Sequence, residues 1–129
     1  MSGKAKILVV DDELDAREFV KTVLEDAGYQ VVCAANGKEA LEITREENPD
    51  LIILDVMMPE MDGFATCAEL KNSPQYKDIP VILLTGVAHH IQDTKYPLDG
   101  VMRADAEEYI EKPVKPDILV EKVVQLLGE

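Results

Sequence analysis

Four short apolar runs punctuate the chain, at residues 7–10, 31–35, 51–54 and 81–84. They are rich in Val, Ile and Leu and hardly alternate with polar residues, the pattern of strands covered by helices on both faces. A fifth, weaker run at 108–111 centres on Tyr109 and Ile110. Between the runs the apolar period lengthens to that of a helix. Residues 13–27 place Ala16, Phe19, Val20, Val23, Leu24 and Ala27 on one stripe, with Gly28 as a stop signal. Asn36 and Gly37 open a second helix that runs to about 47 and is closed by Asn48 and Pro49. A third is predicted over 64–72 and a last over 116–127, with Pro116 in its first turn. The order β-α-β-α-β-α-β-(irregular)-β-α implies a three-layer α/β domain. Its sheet is parallel, its crossovers are right-handed, and helices lie on both faces.

Composition narrows the partners. The chain has 129 residues, enough for one domain with a sizeable core and too few for two. It carries 26 Asp and Glu against 13 Lys and Arg, a formal net charge of −13. Phosphate contacts need a basic face, so direct binding to nucleic acid or to an anionic membrane is not expected. Cys33 and Cys67 have no metal-ligand spacing and read as buried free thiols in a reducing compartment. No signal peptide opens the chain, and no run approaches the roughly 20 apolar residues of a membrane span. A soluble, cytoplasmic protein is the expectation.

In an open parallel sheet, ligands bind outside the carboxyl ends of the strands. Strand 1 is followed by Asp11, Asp12 and Glu13, strand 3 by Asp55, strand 4 by Thr85 and Gly86, and strand 5 by Lys112 and Pro113. Carboxylates about 4 Å apart at an effective dielectric near 20 repel by on the order of 4 kcal/mol per pair. A cation resolves such a cluster, and an all-oxygen donor set without His or Cys favours Mg²⁺ over softer metals, with no dense Ca²⁺ loop in view. A hydroxyl and an ammonium on the same rim suit the oxygens of a phosphoryl group in transfer. The constellation reads as a carboxylate that accepts phosphate, helped by a metal, Thr85 and Lys112. Singly, each residue is more often a helix cap, a strand residue or a surface lysine. Complementary groups at four strand ends together point to function.

Four segments carry a family resemblance: ILVVDDE at 7–13, PDLIILDVMMPEMDG at 49–63, PVILLT at 80–85 and YIEKP at 109–113. In this order they closely resemble the receiver domain of two-component response regulators, over essentially the whole chain. The resemblance implies a five-stranded flavodoxin-like sheet of order 2-1-3-4-5. It implies that Asp55 is the phosphoacceptor, taking phosphate from a sensor histidine kinase or a histidine phosphotransfer protein. Asp12, Asp55 and the Met57 backbone carbonyl would hold Mg²⁺, or Mn²⁺ as a substitute, with Asp11 assisting. Thr85 and Lys112 would bind the phosphoryl group, Tyr109 would be the switch aromatic, and Lys112-Pro113 would be cis. Acceptance and loss of phosphate would be self-catalysed, so the protein would be a signalling switch for a downstream protein partner rather than an enzyme.

Some features depart from that pattern. Thr85 and Lys112 are 27 positions apart, more than the family usually shows, and Pro97 and Gly100 interrupt the intervening segment. The helix between strands 4 and 5 is therefore expected to be irregular or shortened, to about 100–106 at most. His89 and His90 fall in this segment and are read as exposed loop residues rather than a relay or a metal site. Met57 and Val87 flank the acceptor and cannot orient an attacking water, which predicts slow hydrolysis of the phosphorylated form. The last helix, with Ile118, Leu119, Val120, Val123, Val124, Leu126 and Leu127, is more apolar than one stripe needs. It either packs deeply or adds a phosphorylation-dependent dimer face. With Met1 at its start, the chain is expected to be a stand-alone receiver over 1–129 without an output domain. A receiver cut from a longer regulator or hybrid kinase is the alternative, as is a binding module that has lost phosphorylation. A haloacid-dehalogenase-type phosphatase would want an Asp where Met57 stands. A flavin site would be repelled by Asp11, Asp12 and Glu13.

Overall fold

Each apolar run becomes a strand because neighbours in space complete its backbone hydrogen bonds. The computed structural model describes residues 5–58, 62–86 and 106–128. In these the strands are β1 (Lys6–Val10), β2 (Gln30–Ala34), β3 (Leu51–Asp55), β4 (Val81–Thr85) and β5 (Glu108–Glu111). The described helices are α1 (Leu14–Asp26), α2 (Gly37–Glu47), α3 (Gly63–Lys71) and α4 (Pro116–Leu127). The sheet order is β2-β1-β3-β4-β5 and every pairing is parallel. This is the doubly wound, flavodoxin-like α/β fold, with β1 and β3 side by side and the chain direction across the sheet reversing between them.

The absence of alternation in the central strands has a direct explanation. Leu8, Val10, Ile52, Leu54, Val81 and Leu83 pack with Ala40 of α2 and Cys67 and Leu70 of α3. Ile7, Val9, Leu51, Ile53, Ile82, Leu84 and Ile110 pack with Val20 and Leu24 of α1 and Leu119 and Val123 of α4. Successive side chains point to opposite faces, and both faces are covered. Every residue of β3 and β4 is buried.

The expected boundaries shift by one residue in several places, each for a local reason. Glu13 and Ala27 cap α1 rather than extend it, and α3 starts at Gly63 because the Asp62 carboxylate accepts from the Ala65 amide at 2.8 Å. β2 ends at Ala34, after which the Ala35 amide donates to Glu39 Oε1 at 2.6 Å while Asn36 Oδ1 accepts from the Glu39 amide at 2.8 Å. The two bonds tie the residues after β2 to the first turn of α2. As the edge strand, β2 is also covered less than predicted. Phe19 is a clearer correction: it is 45% exposed, and only Val20 and Leu24 of α1 are fully buried. It lines an open cleft of about 430 Å³ with Val20, Pro113 and Val114, beside the sheet's carboxyl edge. Cys67 is buried as expected, but Cys33 on β2 is only half-buried; neither is in a disulfide, and burial raises the Cys33 thiol above its ordinary value.

In α4, Leu119 and Val123 are buried and Ile118 is exposed, so part of its apolar surplus does face outward. No helix among the described residues is long and apolar enough to cross a membrane. The irregular helix expected between β4 and β5, together with Val87, His89 and His90, lies outside the described residues.

Candidate functional site

The carboxyl ends of β1, β3, β4 and β5 meet at one edge of the sheet. Asp11 directly follows β1, and its amide still reaches across to the Ala34 carbonyl at 3.2 Å. That bond carries the strand geometry one residue further and sinks the side chain, leaving Asp11 1% exposed. Its Oδ1 accepts from the Glu13 amide at 2.9 Å, and its carbonyl accepts from Arg17 Nη1 at 2.7 Å. Asp12, on the turn above, is exposed. Asp55 closes β3 opposite Leu84 and is 3% exposed.

Carboxylate oxygens of Asp11, Asp12 and Asp55 all lie within 4.8 Å of one another. Lys112 Nζ stands 2.8 Å from Asp55 Oδ1 and 3.7 Å from Asp11 Oδ2. The Lys112 amide donates to the Thr85 carbonyl at 2.9 Å, which ties the ends of β4 and β5 together. The Lys112-Pro113 peptide is cis, as the resemblance implies. Thr85 is 8% exposed at the end of β4. Met57 follows on the same loop as Asp55, with its side chain 42% exposed. Tyr109 lies on β5. It pairs with Leu83 in register and is half-buried against the cluster on the α2 and α3 side.

Charge in this pocket is out of balance. Burial raises the Asp55 carboxyl above its ordinary value, and the charges of Asp11 and Asp12 push the same way against the bond from Lys112. For Lys112, burial acts to lower the pKa. The bond to Asp55 and the charges of Asp55, Asp11 and Glu13 outweigh it, so the ammonium is held above its ordinary value. One lysine cannot neutralise three carboxylates. Asp11 Oδ2 is buried and has no hydrogen-bond partner, which makes it an acceptor prepared for something else. Three convergent carboxylates with all-oxygen donors and such an orphaned atom fit a hard divalent cation.

Two residues whose place in the site the motifs did not reveal are Gly63 and Arg17. A Cβ on Gly63 would stand 2.5 Å from the Asp55 carbonyl oxygen and 2.9 Å from Val56 Cα. The Gly63 amide donates to the Val56 carbonyl at 3.0 Å, so α3 begins pressed against the backbone of the acceptor strand. Only glycine permits that approach. The signal in the sequence was Asp62 as a cap directly before it. Arg17 had no signal beyond lying one helical turn past Glu13.

Fold and site together define a doubly wound sheet with an acidic, lysine-bearing pocket at its carboxyl edge. The family model described as the response regulator receiver domain matches residues 7–124, and the chain belongs to that family. It is 43% identical over 125 residues to the "Probable transcriptional regulator ycf27" of Cyanophora paradoxa, covering 97% of this chain and 49% of that protein. The signal receiver domain of a signal transduction histidine kinase from Syntrophus aciditrophicus superimposes with a TM-score of 0.87 at 40% identity, covering 96% of this chain and 90% of that one. The chemotaxis response regulator CheY4 of Vibrio cholerae matches with a TM-score of 0.84 at 33% identity, covering 96% of this chain and 99% of that one. The chain spans about half the length of the ycf27 relatives it matches.

Proposed function

We propose that this receiver domain is a phosphorylation-activated signalling switch whose acceptor is Asp55. The observation that carries the reading is the convergence on a buried Asp55 of one ammonium and two further carboxylates, one with an oxygen that accepts no hydrogen bond. An Asp55 carboxylate oxygen attacks the phosphorus of a phosphohistidine on a histidine kinase or phosphotransfer protein. The P–N bond breaks, and the imidazole nitrogen keeps its electron pair and takes a proton. Asp11, Asp12, Asp55 and the Met57 carbonyl would hold Mg²⁺, with Mn²⁺ as a substitute; the ion supplies charge neutralisation for the incoming phosphoryl oxygens.

The chain's own residues do the remaining work. Lys112 now pairs with Asp55 Oδ1. Once that oxygen carries phosphate, its own charge is gone and the ammonium turns to a phosphoryl oxygen. Thr85 supplies a hydroxyl to another. These bonds exist only in the phosphorylated state, and such differential interaction can shift the conformers of the β4 end and of Tyr109 toward a partner-binding form. Both acceptance and loss of phosphate are self-catalysed. The near-complete coverage of CheY4 supports a receiver acting as a unit over 1–129, through a protein partner. Fusion within a longer regulator is the second reading, favoured by the length of the ycf27 relatives.

Intact-mass measurement after incubation with acetyl phosphate and Mg²⁺ tests the proposal. A single phosphate adduct is expected, absent in Asp55→Asn and absent when the metal is chelated. No adduct on the wild-type chain would identify a receiver that has lost the chemistry and binds its partner constitutively.

A further inference from the structure

All but one of the polar atoms of Asp11 are held by protein hydrogen bonds. Its amide donates to Ala34, its Oδ1 accepts from the Glu13 amide, and its carbonyl accepts from Arg17 Nη1 at 2.7 Å; only the buried Oδ2 has no hydrogen-bond partner. The carboxylate orientation therefore depends on the turn from Asp11 to Glu13. That turn is fastened from two sides: the sheet holds it at Ala34, and α1 holds it through Arg17. Glu13, the residue that caps α1, makes no side-chain cap bond, whereas the Arg17 side chain links the first turn of the helix to the acidic loop. A charge-assisted bond of this length to a part-buried carbonyl is among the stronger fastenings a side chain provides.

We propose that Arg17 is a positioning residue for the cation site: by gripping the Asp11 carbonyl it fixes the β1–α1 turn so that the Asp11 and Asp12 carboxylates meet Asp55 in a geometry that Mg²⁺ accepts. The inference rests on the reading of these three aspartates as cation ligands. Mg²⁺ demands a nearly fixed octahedral arrangement, so a loosened turn weakens it more than it would a larger ion. Arg17 also brings a positive charge close to a cation site. Charge alone would make its removal tighten metal binding, whereas loss of the clamp would loosen it. The two influences have opposite signs, so one variant separates them.

The experiment is calorimetric titration of Mg²⁺ into the wild-type chain, Arg17→Met and Arg17→Lys, with acetyl phosphate labelling measured across Mg²⁺ concentrations. Arg17→Met is expected to weaken Mg²⁺ by about 10-fold, the low end of what losing a group that orients a metal ligand brings. Arg17→Lys, keeping the charge and one donor, should fall between. Labelling at saturating Mg²⁺ should reach the wild-type plateau in both, so that only the Mg²⁺ concentration for half-maximal labelling moves. A merely structural role would lower the unfolding temperature of the metal-free protein and leave the Mg²⁺ affinity of the folded fraction unchanged. Mg²⁺ binding as tight or tighter in Arg17→Met overturns the inference alone. Absence of Mg²⁺ binding by the wild type overturns the metal reading and this inference with it. Should Arg17→Met not fold, Arg17→Lys decides: weaker Mg²⁺ with native circular dichroism supports the clamp, and wild-type affinity overturns it.

Discussion

The two edges of the sheet use the same residue types to opposite ends. At the amino edge, Lys71 Nζ bonds Glu107 Oε2 at 2.9 Å and the carbonyls of Lys77 and Ile79 at 3.1 and 2.8 Å, while Glu107 Oε1 accepts from the Val81 amide at 2.8 Å. Lys6 Nζ pairs with Glu47 at 2.9 Å, and the Lys6 amide donates to Asp50 at 2.8 Å. Each ammonium there meets its own carboxylate, and the pairs pin loops to strand starts. At the carboxyl edge a single ammonium meets a cluster of three carboxylates, with one buried oxygen that accepts no hydrogen bond. Balanced pairs serve architecture. A surplus of buried charge is unfavourable unless a ligand relieves it, and it marks the site.

Removing charge should therefore have opposite effects at the two edges. The largest effect is expected for Lys71→Met, which strands Glu107 Oε2 and two carbonyls around a side chain only 10% exposed. A loss of about 2 kcal/mol in urea unfolding is expected, since bonds to charged groups contribute roughly 1.5–3 kcal/mol and the half-open Glu107 is partly screened. Equal stability of the variant and the wild type would remove the contrast. Asp11→Asn should act the other way. In the presence of a chelator it should stabilise by about 1 kcal/mol, a fraction of the pair repulsion because some attraction to Lys112 is lost with it. The same substitution should abolish most of the thermal protection given by added Mg²⁺, which scanning calorimetry would read.

The smallest expected effect is on pH dependence. Burial raises the Asp55 carboxyl in the folded chain above its ordinary 3.8, so on acidification the folded state takes up this proton first. Its contribution to stability accordingly grows as pH falls from the raised folded value toward 3.8 and is constant below that. Other carboxylates pull in their own directions, so the informative quantity is the difference between wild type and Asp55→Asn in metal-free buffer. The variant's advantage should be present at neutral pH and shrink through this window. An advantage that grows on acidification would contradict the raised value.

Much of the fold was legible before any coordinates. The unalternated runs of β1, β3 and β4 announced a sheet covered on both faces, because a strand with one wet face would show a period of two. Strand-end residues announced the pocket, because in a parallel sheet those ends share one edge. Phe19 shows the limit of periodicity. It occupies the helical stripe of Val20 and Leu24 yet opens onto the cleft beside Pro113, since a stripe says which side of a helix faces inward and not how far the layer beneath extends.

The chain by itself thus determined the class of architecture, the family and the candidates Asp11, Asp12, Asp55, Thr85 and Lys112, because periodicity, turn chemistry and ordered motifs are properties of nearby residues. The tertiary structure alone decided which carboxylate oxygen lacks a hydrogen bond, that Lys112 pairs with Asp55, that Gly63 presses on the acceptor's backbone and that Arg17 grips the turn. Those facts depend on distances between residues far apart in the chain, and on burial that removes water as the alternative partner. No local pattern encodes either.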